Sequence, residues 1–200
     1  MGWALEEFTA PTKEPITTDE AKAHLRVDIT DDDTLIDSLV NAARLYAEGF
    51  TSRALITQTW DLFLDDFPAS PGRLRQEAII VPKAPLQSIT TVKYLDTAGD
   101  QQTLAASKYR VDAKSHPGRI TPAYGEVWPT TRGVINAVEV RFIAGYGDAE
   151  TDVPQQIIQG MLMLIGHLYE NREAVIVGTT ASNVPQATEY LLWPYRLFRF

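Results

Sequence analysis

The chain has 200 residues, 44% apolar and 22% charged, a balance that suits one folded domain or a helical unit with a modest β insertion and excludes a collagenous or linker-dominated chain. Twenty-six acidic against 18 basic side chains give a formal net charge of -8, which excludes a general nucleic-acid scaffold while leaving room for a local basic patch. The absence of cysteine excludes disulfides, thiolate metal sites and cysteine nucleophiles.

Residues 1–15 show little periodicity and read as an extended arm, with Glu6 and Glu7 where a secretory signal would need a basic start and an apolar run. Export by that route is not expected. Thr17 and Glu20 then have capping-box spacing, with Ile16 placed as the staple residue, and predict a short helix over 18–25. A longer helix comes next, because Leu35, Ile36, Leu39, Val40, Ala43 and Ala47 recur on one side at 3.6-residue spacing. Asp31, Asp32 and Asp33 crowd its amino end, where the helix dipole favours them.

At Gln58 the period changes to two: Trp60, Leu62 and Leu64 alternate with Asp61 and Phe63, and the run stops at DDFPASPG. Further strands are predicted over 78–81, 88–95, 109–112 and 137–143. Gly99 suits a turn into another short extended piece. Residues 116–121 and 123–131 read as irregular loops. The clearest helix comes after them: Asp152 and Gln155 have capping spacing, Pro154 fits its first turn, and Ile157, Met161, Leu164, Ile165 and Leu168 form an apolar stripe reaching about Arg172. Its apolar core, GMLMLIG, falls far below the roughly 20 residues needed to span a bilayer, so a soluble chain with no membrane partner is expected. After a loop to about Gln186, ATEYLLWPYRLFRF predicts a short helix broken near Pro194.

No spacing in the chain carries reactive chemistry. His24, His116 and His167 lie far apart with no HExxH or Cys/His pattern, and read as surface or core-flanking residues. The group Asp28, Asp31, Asp32, Asp33 and Asp37 fails the EF-hand register, which would need glycine at Asp33 and glutamate at Leu39. The chain has neither a GxSxG elbow nor a P-loop, and AGYGD lacks the third glycine of a dinucleotide fingerprint. Arg119, Arg132 and Arg141 read as surface or local salt-bridge residues. The C-terminal stretch differs. Leu191, Leu192, Trp193, Tyr195, Leu197, Phe198 and Phe200 surround Arg196 and Arg199, a composition suited to an anchored protein interface, and these nine are the candidate site residues. No catalytic, cofactor or metal residue is assigned.

The order of blocks ITTDEAKAHLRVDITDDDTLIDSLVNAARLYAEGFTSRALITQTWDLFLDDFP, APLQSITTVKYLD, YRVD, VRFIAGYG and VPQQIIQGMLMLIGHLYENREAV resembles the phage head-to-tail connector family, the gp6-like connectors and their gene-transfer-agent relatives. Leu25, Leu39, Ala43, Tyr46, Trp60, Leu86, Tyr94, Tyr146, Leu168, Tyr169 and Arg172 align with recurrent family text as fold-setting positions. The resemblance implies an α+β subunit: a helical connector core (16–56, completed by a central helix over 151–176) with an inserted β-rich unit (57–150), flanked by an N-terminal arm (1–15) and a C-terminal interaction arm (177–200). It also implies self-assembly into a ring near dodecameric beneath the portal protein, contact with tail or stopper proteins, and DNA passing through without sequence-specific binding. The place implied is the head-to-tail junction of a virion or phage-like particle, after a cytoplasmic stage in the host. Such a role needs no cofactor or turnover. The competing readings are a small-molecule or carbohydrate hydrolase with a carboxylate pair in the β-rich loops, and a soluble adaptor outside any virion.

Overall fold

The computed structural model describes residues 2–68, 78–172 and 186–197. The chain divides into two compact units, one made of Met1–Pro11 with Thr57–Tyr146 and the other of Thr12–Ile56 with Gly147–Phe200. Together they give an α+β chain, with four helices and two antiparallel sheets among the described residues.

The helical unit begins with α1 (Thr18–Leu25), whose capping box forms as the spacing predicts. The Thr17 hydroxyl accepts from the Glu20 amide at 3.2 Å while the Glu20 carboxylate accepts from the Thr17 amide at 2.9 Å. α2 (Asp33–Thr51) buries Ile36, Val40, Ala43 and Ala47 against α3 (Gln155–Glu170), which contributes Ile157, Met161, Leu164 and Ile165. α4 (Gln186–Leu192) closes this core with Leu192, and a 3-10 turn, Trp193–Tyr195, comes at once after it, so the predicted break near Pro194 is a change of helix type.

Two glycines in α3 set where its neighbours approach. A Cβ on Gly160 would lie 3.4 Å from Leu191 and Leu192 of α4, and one on Gly166 would lie 3.6 Å from the His24 ring of α1. The capping expectation at the start of α3 is corrected. Pro154 itself is the cap residue, with no side-chain bond, and Asp152 closes a separate 3-10 turn, Glu150–Asp152, by accepting from the Ala149 amide at 3.0 Å. Its carboxylate is used locally and does not reach the helix.

A charged network also runs through this unit. Arg44 donates to Glu14 at 2.7 Å and to Glu48 at 3.1 Å, Asn41 donates to Glu14 at 3.1 Å, and Glu48 accepts from the Leu55 amide at 2.9 Å. Burial pulls Arg44 toward the neutral form, but the Glu14 hydrogen bond and the Glu48 charge outweigh it, and its pKa rises. The network ties the approach to α1 and the exit from α2 onto one helix face.

In the β unit the larger sheet has the order β1-β2-β8-β4-β5, from β1 (Trp3–Thr9), β2 (Gln58–Leu64), β4 (Leu86–Leu95), β5 (Gln101–Thr103) and β8 (Val138–Ala144). The smaller sheet, β3-β7-β6, combines β3 (Ile79–Val81), β6 (Tyr109–Asp112) and β7 (Gly118–Pro122). β8 alternates strictly, burying Val138, Val140, Phe142 and Ala144, with Leu62 of β2 and Val92 of β4 opposite Val140. Gly118 brings the two sheets together: a Cβ there would lie 2.7 Å from Leu86 Cβ, a distance no side chain tolerates.

Two sequence expectations are corrected here. The arm read over 1–15 contains an edge strand, because β1 pairs along the whole of β2 and is fastened by the Gly2 amide on Asp65 at 3.0 Å and by Arg141 lying 3.4 Å over the Phe8 ring. Nearly all of β1 is exposed, so no hydrophobic alternation announced it. The stretch 116–121, read as irregular, holds β7, in which only Gly118 and Ile120 are buried.

Candidate interaction surface

The acidic residues at the start of α2 are occupied by the protein itself. Asp33 takes Lys22 at 2.7 Å, Asp37 accepts from the Thr18 hydroxyl, and Asp32 accepts from the Tyr169 hydroxyl and from Arg172 at 2.9 Å. The Tyr169 hydrogen bond, then Arg172, holds the Asp32 carboxyl below its ordinary value. Among the described residues no group of three or more His, Asp or Glu side chains could hold a metal ion, and no helix is long and apolar enough to cross a membrane.

Of the three arginines singled out, Arg141 grips Asp61 with both fork nitrogens at 2.8 and 2.7 Å, and Arg119 pairs with Asp112 at 2.8 Å. Arg132 donates to the Ala98 carbonyl at 3.4 Å beside the Gly99 turn. Lys108, Arg110, Lys114 and Arg119 are exposed on and just before the β6–β7 hairpin, with Lys108 paired to Glu126 at 2.8 Å.

The C-terminal candidates divide by role. Leu192 is fully buried and Leu191 is half-buried against α3, so these two hold the segment to its own unit. Main-chain acceptors fasten the residues beyond them: Arg53 donates to the Tyr195 carbonyl at 2.6 Å and the Leu197 amide donates to the Thr51 carbonyl at 2.9 Å, at the carboxyl end of α2. Trp193 stays 52% exposed and Arg196 is exposed, while Tyr195 and Leu197 are half-buried. Phe198, Arg199 and Phe200 lie outside the described residues.

The sequence reading missed what this anchoring assembles. Phe50 of α2 stacks on Tyr46 at 6.1 Å and meets Trp193 at 6.3 Å, and the Arg196 guanidinium lies 5.0 Å from the Phe50 ring and 5.4 Å from the Trp193 ring. Tyr190 of α4, 73% exposed, stands one turn before Trp193. The Tyr46 hydroxyl donates to Glu189 at 3.5 Å; burial first, then Glu189, raises its pKa. The signal in the sequence was Tyr46 and Phe50 at i, i+4 beside the α2 stripe. Large aromatic rings with a fixed cation and an exposed rim are the composition of protein-binding surfaces.

Residues 15–98 match the family model described as "Phage gp6-like head-tail connector protein". Among solved structures the chain is similar to one in the "Neck of empty GTA particle computed with C6 symmetry", at 25% identity, covering 98% of this chain and 97% of that one with a TM-score of 0.79. A second similarity, to a chain of the "Virion of native gene transfer agent (GTA) particle", has 25% identity, 98% and 96% coverage and a TM-score of 0.76. A third, to the "Neck of native GTA particle computed with C12 symmetry", has 24% identity, covers 98% of this chain and 97% of that one, and has a TM-score of 0.74. No curated protein matches the chain. The α+β architecture and these likenesses define a structural connector. Over 15–98 the chain is similar to the phage gp6-like head-tail connectors. Nothing in the comparisons supports the hydrolase reading.

Proposed function

We propose that this chain works at the head-to-tail junction of a virion or phage-like particle, as one subunit of a ring near dodecameric that grips a portal protein on one side and tail or stopper proteins on the other. The observation that carries this reading is the likeness of 98% of the chain to a chain from a gene-transfer-agent neck computed with C6 symmetry. DNA passes through such a ring without sequence-specific binding, and the subunit turns over no substrate. In this reading the terminal residues Phe198, Arg199 and Phe200 beyond the fastened Leu197 enter an apolar groove of the portal, with their cation against acidic surface. Leu191 and Leu192 are their root, and Trp193, Tyr195 and Arg196 form the surface from which they depart.

Two measurements test this. Native mass spectrometry of the full chain mixed with the portal protein of the same particle is expected to show a ring; failure to assemble on the portal overturns the reading. Truncation after Leu197 is expected to leave the thermal transition in place and to abolish portal capture. Undiminished capture by that folded variant overturns the role given to the segment.

A further inference from the structure

The β unit ends in edge strands of opposite charge. β1, at one edge of the larger sheet, carries Glu6 and Glu7, both exposed, and β6, at one edge of the smaller sheet, carries the exposed Arg110. None of these three has an ion pair among the described residues. Glu6 stands across from Asp61, whose charge Arg141 already answers, and Arg110 stands across from the uncharged Thr121. The other two edge strands, β3 and β5, have three residues each and no charge.

The hydrogen-bond phase of both charged edges follows from their neighbours, because residues of an antiparallel strand turn their amide and carbonyl to alternate sides. The Leu95 amide donates to the Ala137 carbonyl at 2.8 Å, which turns Val138 toward Leu64 of β2 and, one strand further, Phe63 toward Ala4 and Asp61 toward Glu6. Leu5 and Glu7 therefore aim their backbone groups away from β2. In β6 the Ala123 amide donates to the Lys108 carbonyl at 3.0 Å, so Arg110 and Asp112 bond to β7 while Tyr109 and Val111 aim outward. Among the described residues, Leu5 and Val111 have no backbone partner on that outer side. Such an edge is a template for a strand of another chain.

We infer that β1 of one copy pairs antiparallel with β6 of the next copy. This rests on the ring reading above and names a contact that builds the ring. Charge fixes the register. With Leu5 and Val111 exchanging both backbone bonds, and Glu7 and Tyr109 doing the same, Arg110 falls directly opposite Glu6 and Asp112 opposite Ala4. Sliding two residues one way sets Asp112 against Glu6, and sliding two the other way leaves Arg110 opposite Ala4 with no ion pair. In the favoured register the 41% exposed Val111 also covers the half-buried Leu5. Charge selects the partner as well: two copies of β1 would gather four glutamates along one seam, so β1 takes an unlike edge. Unlike edges make the contact head-to-tail, and it closes into a ring when the rotation allows.

The lack of native cysteine makes the test clean. Opposed residues that exchange no backbone bonds lie about 4.5 Å apart at Cα, within reach of a disulfide, whereas diagonal neighbours do not. In the full chain assembled with portal, Glu6→Cys with Arg110→Cys is expected to give, on oxidation, a ladder of covalent multimers ending at the ring, and the offset pair Ala4→Cys with Arg110→Cys to give about tenfold less. Arg110→Glu and Glu6→Arg are each expected to lower the assembled fraction several-fold, and their combination to restore it. Val111→Pro, which removes an outward amide from an edge strand, is expected to keep the thermal transition and to lower assembly as well. A wild-type ring that forms while the Glu6–Arg110 cysteine pair yields no ladder, or while the charge reversals and the proline change nothing, overturns this contact and leaves the ring reading standing. A chain that stays monomeric with portal overturns both.

Discussion

Glu48 shows how far a residue's role departs from what its place in a pattern implies. It sits in the polar register of α2, yet is buried, holding Arg44 on one oxygen and the Leu55 amide on the other. A buried ion pair of this kind contributes little net stability as a pair, but removing one partner leaves the other charged and desolvated. Glu48→Ala is therefore expected to lower the unfolding free energy by about 3 to 5 kcal/mol, measured by urea denaturation. Asp61 is similar: the alternation of β2 was legible, but the buried carboxylate on its other face makes sense only with Arg141 from a strand about 80 residues later. Sequence patterns carry the apolar half of such positions. The charged half depends on a partner that only tertiary structure supplies.

Among the elements, those whose signals are local were legible. The Thr17 capping box, the α2 and α3 stripes and the alternation of β8 each rest on residues within a few positions of one another. β1 and β7 were not: β1 is held by a strand some fifty residues later, and both bury little of their own. α4 was anticipated as a broken helix, but its seat was not, because that seat is the missing side chain of Gly160. Gly160→Leu is expected to lift α4 off α3, red-shifting tryptophan emission as Trp193 loses Phe50 and Arg196, with the α2–α3 pair still folded. The β6–β7 hairpin has its own signature in acid. Asp112 accepts from the Ser115 hydroxyl, Arg119 and the amides of Ser115 and Lys114, and these hold its carboxyl far below the ordinary 3.8. With the folded value depressed, this contribution is complete above the ordinary carboxylate value, begins to fade as pH drops below 3.8, and is lost only as pH falls through the folded value. NMR titration should find the hairpin amides unmoved from neutral pH to about 4, and Asp112→Asn should remove the acid transition there.

At the scale of the molecule, the order of sequence blocks pointed to the connector family, and the family match over 15–98 and the structural likenesses agree with it. The aromatic–arginine surface stayed hidden because its members come from residues 46–50 and 190–196, brought together only by folding. Charge is also unevenly shared: most of the net negative charge falls in the helical unit, where the α1–α2 region carries Asp19, Glu20, Asp28, Asp31, Asp32, Asp33 and Asp37. Such a surface should let duplex DNA pass without holding it. In gel shifts at low salt the full chain is expected to retard linear duplex only weakly, and lysine at Asp19, Asp28 and Asp31 to raise affinity about tenfold or more. The two units share one further property. The helical core waits for α3 and α4, more than a hundred residues after α2, and the larger sheet needs β8 between β2 and β4 before it is whole. On the ribosome the β unit can therefore close once β8 has emerged, whereas the helical core stays open until α4 has been made.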